Sequence, residues 1–323
     1  MSPVPQPPLP TFEVHISAPD IRRWLSGNTG IPGFITRDSG TAGPHVALLA
    51  IAHGNEIAGA VVLDRLLQAG VSPTRGRLTF GFVNIAAYER FDPRQPTLSR
   101  FVDEDINRVW DTGLLDGGRR SSELDRAREI RPLIDTVDVL FDLHSMLWAS
   151  DPLILCGSSA RGRRLALGVG VPGLVVADHG HASGRRLIDY ARFAEPGLEC
   201  AASLVEAGQH WQEATVGTML ASVAGLLRHL NLAPPHPALP ACERQPQRFA
   251  EVTLAVTAAT SNFAFVQPYR GGDVLAQRNT LIALDGATEI RTPHDDCLLI
   301  MPSLRPSRGH TAVRLARFVE TAN

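Results

Sequence analysis

The chain has 323 residues, of which 44 % are apolar, and a formal net charge of −2 from 31 basic and 33 acidic residues. That length fits one large α/β domain, or one such domain with a smaller partner. The charge balance excludes a nucleic-acid footprint, and no stretch approaches the roughly 20 apolar residues that span a bilayer. Every basic residue is an arginine. Schiff-base, P-loop and biotin- or lipoate-carrying lysines are therefore excluded.

The first ten residues are proline-rich and uncharged, and lack the basic start and apolar stretch of a secretory signal. They are expected to form a loosely packed leader. His45–Ala52 then reads as a buried strand, and Glu56–Ala69 as a helix with Ile57, Ala60, Val61 and Leu67 at helical spacing. Asn55 stands at its expected N-cap, and Gly54 is expected to allow a sharp turn. Leu78–Asn84 is the next strand, followed by a polar, loop-like stretch from Ala86 to Gly118. Ser121–Asp135 has the pattern of a capped amphipathic helix. Val137–Leu143, Leu153–Cys156, Leu174–Ala177 and Ala201–Val205 read as strands, and Glu213–Leu230 as a long helix.

This alternation predicts a three-layer α/β/α domain with a parallel or mixed sheet over residues 12–230. Asn231–Gln247 is proline-rich and reads as a linker. Short apolar runs punctuated by glycine, proline and aspartate follow, and predict a C-terminal β-rich module over residues 245–305. Arg314–Val319 is expected to form a short final helix. The four cysteines, Cys156, Cys200, Cys242 and Cys297, are widely separated and form no C-x-x-C pair. A reducing cytoplasm is the expectation.

Three expected strands run into groups that carry chemistry. They end at His53-Gly54-Asn55-Glu56, at Asp142-Leu143-His144-Ser145, and at Glu206-Ala207-Gly208. Ligands of open α/β sheets bind at the carboxyl ends of strands. Catalytic zinc commonly takes two imidazoles and one carboxylate, with a fourth position for water. His53, Glu56 and His144 supply that set for one zinc per chain, with Asp142 as an orienting partner. Glu206 is the candidate general base. Taken singly, each residue has an ordinary reading: a hydrogen-bonded strand-end histidine, a first-turn helix acid, an acid paired with an arginine. Their joint arrangement carries the functional one.

The ordered motifs His53-Gly54-Asn55-Glu56, Asp105-Ile106-Asn107-Arg108, Asp142-Leu143-His144-Ser145 and Glu206-Ala207-Gly208 resemble those of the aspartoacylase and succinylglutamate desuccinylase family. That family lies within the zinc carboxypeptidase superfamily. The resemblance covers about residues 45 to 210. It implies zinc on His53, Glu56 and His144, Glu206 as base, Asn107 and Arg108 on the substrate, and Arg100 polarising the scissile carbonyl. The chain departs from the pattern at Val83-Asn84-Ile85 and Ile106. It also has Pro196 where the aspartoacylase branch has an arginine, with nearby Arg192 as the candidate substitute.

The expected reaction is hydrolysis of an amide in a small N-acyl amino acid or related N-acyl amine. The expected partner is that small molecule, with no nucleic acid and no membrane, and a homo-oligomer is compatible with a chain of this size. Two rivals stand beside it. A metallocarboxypeptidase shares the metal site but needs an open groove for a peptide. A non-catalytic zinc- and carboxylate-binding protein has no need of a base at Glu206. His179, His181 and His210 flank the site and read as rim histidines, and Tyr269 as structural.

Overall fold

A computed structural model describes residues 11–181, 183–241 and 243–320. The proline-rich leader and Cys242 lie outside the described residues. The chain runs through β1 (Phe34–Asp38), β2 (His45–Ala50), α1 (Ile57–Gln68), β3 (Arg77–Phe82), α2 (Ile85–Tyr88), α3 (Thr112–Asp116), α4 (Ser122–Ile134) and β4 (Val139–Met146). It continues through β5 (Leu153–Leu155), α5 (Ala160–Val169), β6 (Leu174–Ala177), α6 (Ala191–Ala194), β7 (Ala201–Gln209) and α7 (Glu213–His229). The remaining strands are β8 (Arg248–Thr257), β9 (Phe263–Phe265), β10 (Val274–Leu275), β11 (Leu281–Asp285), β12 (Thr288–Arg291), β13 (Cys297–Ile300) and β14 (Thr311–Val319).

Eleven strands form one mixed sheet in the order β1-β3-β2-β4-β7-β5-β6-β8-β14-β13-β10. The centre is parallel: β2 pairs with β3 and β4, and β4 with β7. The linker does not end the sheet, because β8 joins β6 in parallel and β14, β13 and β10 follow antiparallel. A three-stranded sheet, β12-β11-β9, stands apart. Among the described residues no helix is long and apolar enough to cross a membrane.

Successive side chains of a strand point to opposite faces, and both faces are covered. Val46, Leu48 and Ala50 of β2 pack with apolar residues of α1, α5 and α7. Ala47 and Leu49 pack on the other side with Leu124, Ala127, Ile130 and Ile134 of α4. The same period assigns chemistry to a face. Leu140 of β4 and Leu204 of β7 belong to the α4 side, so Asp142, His144 and Glu206, each an even number of residues on, open to that side too.

Three local expectations are corrected. Arg314–Val319 is part of β14, because Ala312, Val313, Leu315 and Ala316 are buried within the sheet and leave no helical stripe. The N-cap of α1 is Glu56, not Asn55, and it makes no side-chain cap bond. The loop-like stretch after β3 contains α2, a single turn over Ile106–Arg108, and α3. The helix expected at Ser121–Asp135 forms as read, with Ser121 accepting from the Leu124 N–H.

One buried side chain of α4 fixes the loop that approaches the sheet edge. Glu123 Oε1 accepts from Asn84 Nδ2 at 3.0 Å and from the Val102 N–H at 2.6 Å. Its Oε2 accepts from the N–H groups of Asp103 and Glu104 at 3.0 and 3.2 Å. Glu123→Ala would strand several of these buried donors at once, and hydrogen bonds to a charged group contribute about 1.5–3 kcal/mol each. The variant should unfold at lower urea, destabilised by about 3 kcal/mol. A loss under about 0.5 kcal/mol would show that water replaces the carboxylate.

Candidate metal centre

Glu56 is the point of convergence. It is 1 % exposed and stands at the start of α1, just beyond β2. Its Oε1 lies 2.7 Å from His53 Nδ1, and its Oε2 lies 3.1 Å from His144 Nδ1. The Ser145 N–H donates to Oε2 at 3.0 Å. Burial would raise this carboxyl, but the charges of His53 and His144 outweigh it and hold it well below the usual carboxylate range.

The turn that brings His53 to Glu56 is shaped by two residues. Ile51, fully buried, has a φ of 54°, a left-handed conformation that a β-branched residue rarely adopts. Gly54 is needed for room rather than for a sharp turn. Its φ is not positive, and a Cβ there would press into the backbones of Ala87, Tyr88 and Ser99. Its N–H donates to the Arg100 carbonyl at 3.1 Å, which places the Arg100 loop against the turn.

The donors fit a divalent metal such as zinc. Ligand atoms of His53, Glu56 and His144 lie within 4.8 Å of one another, and all three residues are buried. The far nitrogen of each imidazole is held by a carboxylate: His53 Nε2 by Asp105 Oδ1 at 2.9 Å, and His144 Nε2 by Asp142 Oδ2 at 2.8 Å. At His144 such a partner fixes the tautomer and leaves Nδ1 to serve as a ligand; His53 likewise turns its Nδ1 toward Glu56. Desolvation opposes charge on His144, but Asp142 and Glu56 raise its imidazolium well above the ordinary value. A metal ion competes with that proton for the same lone pair.

Glu206 neighbours the triad through sheet register, since it is the residue opposite His144 in the parallel β4–β7 pairing. Just beyond it the register shifts, with Met146 opposite Gln209 and Gly208 at a φ of 136°. Bulges of this kind recur beside active sites. Glu206 is 7 % exposed and its Oε2 is buried with no hydrogen-bond partner. Burial pushes its carboxyl up to about 8, with His144 opposing and the negative Glu56 adding to the rise.

The other expected residues gather around this core. The Arg100 side chain, 39 % exposed, places Nη2 2.9 Å from His53 Nε2 and 3.2 Å from Asp105 Oδ2, with Nη1 3.7 Å from Glu56 Oε1. Asn107 is buried, and its Oδ1 accepts from the Leu187 N–H at 2.8 Å. Arg108 donates from Nη1 to the Asn107 carbonyl at 2.6 Å, and its Nη2 lies 3.7 Å from Asp105 Oδ2. Arg192 does not come to the site. Its Nε is bound to the Val137 carbonyl at 2.6 Å, and its guanidinium lies 3.7 Å from Asp138.

The motif Asp105-Ile106-Asn107-Arg108 gives Asp105 no role of its own, and the position of His210 after Glu206 predicts a rim histidine. His210 is instead 2 % exposed, with Nδ1 2.7 Å from Ser145 Oγ. No spacing signals that Asp105 meets a histidine 52 residues away. Tyr269 is buried in the apolar cluster of the C-terminal strands, as read.

Two measurements test the site. Protein purified without chelator should carry about one zinc per chain, and His144→Ala should carry little; equal metal in both would place the ion elsewhere. The second reads Glu206. An acid raised from 4.5 to about 8 in the native state contributes stability that is complete below the lower value and lost as pH rises through the upper one. Metal-free wild type should therefore lose stability relative to Glu206→Gln in urea unfolding between about pH 5 and 8, by up to about 1.4 kcal/mol per pH unit. A difference that stays flat across that range would mean the carboxyl is not desolvated.

Comparison with known proteins gives the family and the fold. Residues 42–229 match the family model described as the succinylglutamate desuccinylase/aspartoacylase catalytic domain. No curated protein sequence matches the chain. Among solved structures, succinylglutamate desuccinylase from Vibrio cholerae superposes with a TM-score of 0.67 at 15 % identity, over 91 % of this chain and 87 % of that one. A succinylglutamate desuccinylase/aspartoacylase from Rhodobacter sphaeroides gives 0.63 at 17 %, over 89 % and 88 %. The ectoine utilization protein EutE (DoeB) from Ruegeria pomeroyi gives 0.59 at 16 %, over 88 % and 87 %. At such identities the superpositions show the shared fold, and the model match over residues 42–229 shows the lineage: the chain belongs to the succinylglutamate desuccinylase/aspartoacylase family of hydrolase-type deacylases.

Proposed function

We propose that this protein hydrolyses the amide of a small N-acyl amino acid or related N-acyl amine, with one zinc on His53, Glu56 and His144 and with Glu206 as general base. The observation that carries the reading is the unpartnered Oε2 of Glu206, buried on the residue paired with the ligand His144. A buried polar atom left without a partner is costly. A reacting water is the partner that would satisfy it. When bound, zinc supplies Lewis acidity toward the carbonyl and lowers the pKa of water.

The protein's own groups divide the remaining work. Glu206 takes a proton from water and delivers it to the leaving nitrogen. A desolvated carboxyl beside the metal suits both steps, because it can accept the proton in one and return it in the next. Arg100, beside His53 and Glu56 and partly open to solvent, offers positive charge to the oxygen that becomes negative in the tetrahedral intermediate. Arg108 offers a planar fork for a substrate carboxylate. Asn107 has its oxygen committed to Leu187, which leaves its amide nitrogen as a donor for a substrate oxygen. Asp105 and Asp142 hold the two imidazoles in orientation.

The decisive variant is Glu206→Gln, assayed for amine release across N-acetyl and N-succinyl amino acids. It should retain wild-type zinc and lose at least about 100-fold in kcat, the usual share of general acid–base catalysis. Full activity in a zinc-loaded variant would remove Glu206 from the mechanism. No release from any N-acyl amino acid by the zinc-loaded wild type would overturn the deacylase reading.

A further inference from the structure

We propose that Arg314, carried in from the last strand, joins Arg108 in the subsite that takes a carboxylate of the substrate and is the residue that sets its preference for a second carboxylate. The proposal rests on the hydrolase reading only for the word substrate, because anion binding is measured without turnover.

Strand geometry puts Arg314 on the reacting side of the sheet. Ala316 of β14 and Ile300 of β13 belong to the core on the α4 side. Arg314 is two residues from Ala316 and directly opposite Ile300 in the β13–β14 register, so it faces the same way as His144 and Glu206. Asp178, just past β6 and two residues beyond Val176, meets it there. The Gly184 N–H donates to the His181 carbonyl at 3.4 Å, and Arg185 pairs with Val109, the neighbour of Arg108, which ties this group to the site. The Trp110 N–H donates to the Arg185 carbonyl at 3.2 Å, and Asn107 holds Leu187.

The charges there do not balance. Arg186 takes Asp178 bidentately, at 2.9 and 2.6 Å, and also pairs with Asp189 at 2.7 Å. Arg314, 4 % exposed, has its Nε 3.3 Å from the same Asp178 in a geometry that forms no hydrogen bond. Its Nη2 donates instead to His181 Nε2 at 2.6 Å, and His181 Nδ1 lies 3.3 Å from Thr311 Oγ1. An imidazole that accepts from a guanidinium is neutral; burial, with Arg314 and Arg108 nearby, keeps this one far below its ordinary value. His181 thus supplies no counter-charge.

Arg108 is in the same position. Its nearest carboxylate, Asp105 at 3.7 Å, already serves His53 and Arg100. Arg186 and Arg314 therefore share Asp178, Asp189 goes to Arg186, and Arg108 has only the distant and already engaged Asp105. Burial and the charges of Arg100, Arg186 and Arg314 push Arg108 down to about 10, against the pull of Asp105. Glu206 feels the charge of Arg314 as well, so the surplus borders the reacting centre. A buried cation that shares its counter-charge with other guanidiniums is only partly compensated, and a carboxylate matched to a guanidinium fork is the ligand that completes the balance.

The test is calorimetric titration of the full-length, zinc-loaded protein with succinate and with acetate. Both offer one carboxylate to the metal side, and only succinate offers a second. Succinate should bind at least about 10-fold more tightly, and Arg314→Gln should remove most of that preference while acetate binding stays unchanged. If Arg314→Gln fails to fold by circular dichroism, Arg314→Lys decides, since it keeps the charge and loses the fork; its succinate preference should be intermediate. Equal affinity for the two ligands in wild type, or an undiminished succinate preference in the folded variant, would overturn the subsite. Succinate preference with no amine release from any N-acyl amino acid would sink the hydrolase reading and still support the subsite.

Discussion

A carboxylate buried to 1 % exposure must be satisfied on every side, and Glu56 sets that demand at the edge of the central sheet. Two imidazoles and one backbone N–H meet it, from the β2–α1 turn and from β4. Each partner is fixed in turn: His53 by Asp105, His144 by Asp142, and Ser145 by His210. The result is a chain of buried polar groups in which every member orients the next. Low local dielectric strengthens such a network when it is complete and makes any missing member expensive.

The network is held from below and from the side by different means. From below, parallel pairing of β4 with β7 sets His144 opposite Glu206, so the two side chains are spaced by backbone hydrogen bonds rather than by flexible loops. From the side, the Arg100–Arg108 segment has little regular structure of its own. Glu123 of α4 gathers three of its N–H groups, and Gly54 gives its backbone room to dock against the His53–Glu56 turn. Loops carry function when a rigid scaffold positions them, and here a single buried acid does much of the positioning.

The C-terminal strands extend the same sheet, and this gives them a route into the site that an appended module would lack. β14 runs antiparallel to β8, so its first residues lie at the edge where β6 ends. Arg314 thereby meets Asp178 across 136 positions of sequence. The imbalance of charge around it arises from that closure, because Asp178 is already occupied by Arg186.

The sequence by itself determined the layered α/β architecture, most strand and helix positions, and the triad His53, Glu56 and His144 with Glu206. Those features are local: apolar periodicity marks the elements, and strand ends mark where ligands collect. Tertiary structure decided what local pattern cannot encode. Arg314–Val319 has an apolar pattern that either a short helix or a strand accommodates, and it becomes a strand because β8 and β13 are there to pair with it. Asp105, His210 and Arg314 acquire their roles through partners 52, 65 and 136 or 133 positions away. Arg192, near the site in sequence, is drawn away by the Val137 carbonyl. Side-chain contacts between distant segments depend on sheet order and register, and those are fixed only when the strands assemble.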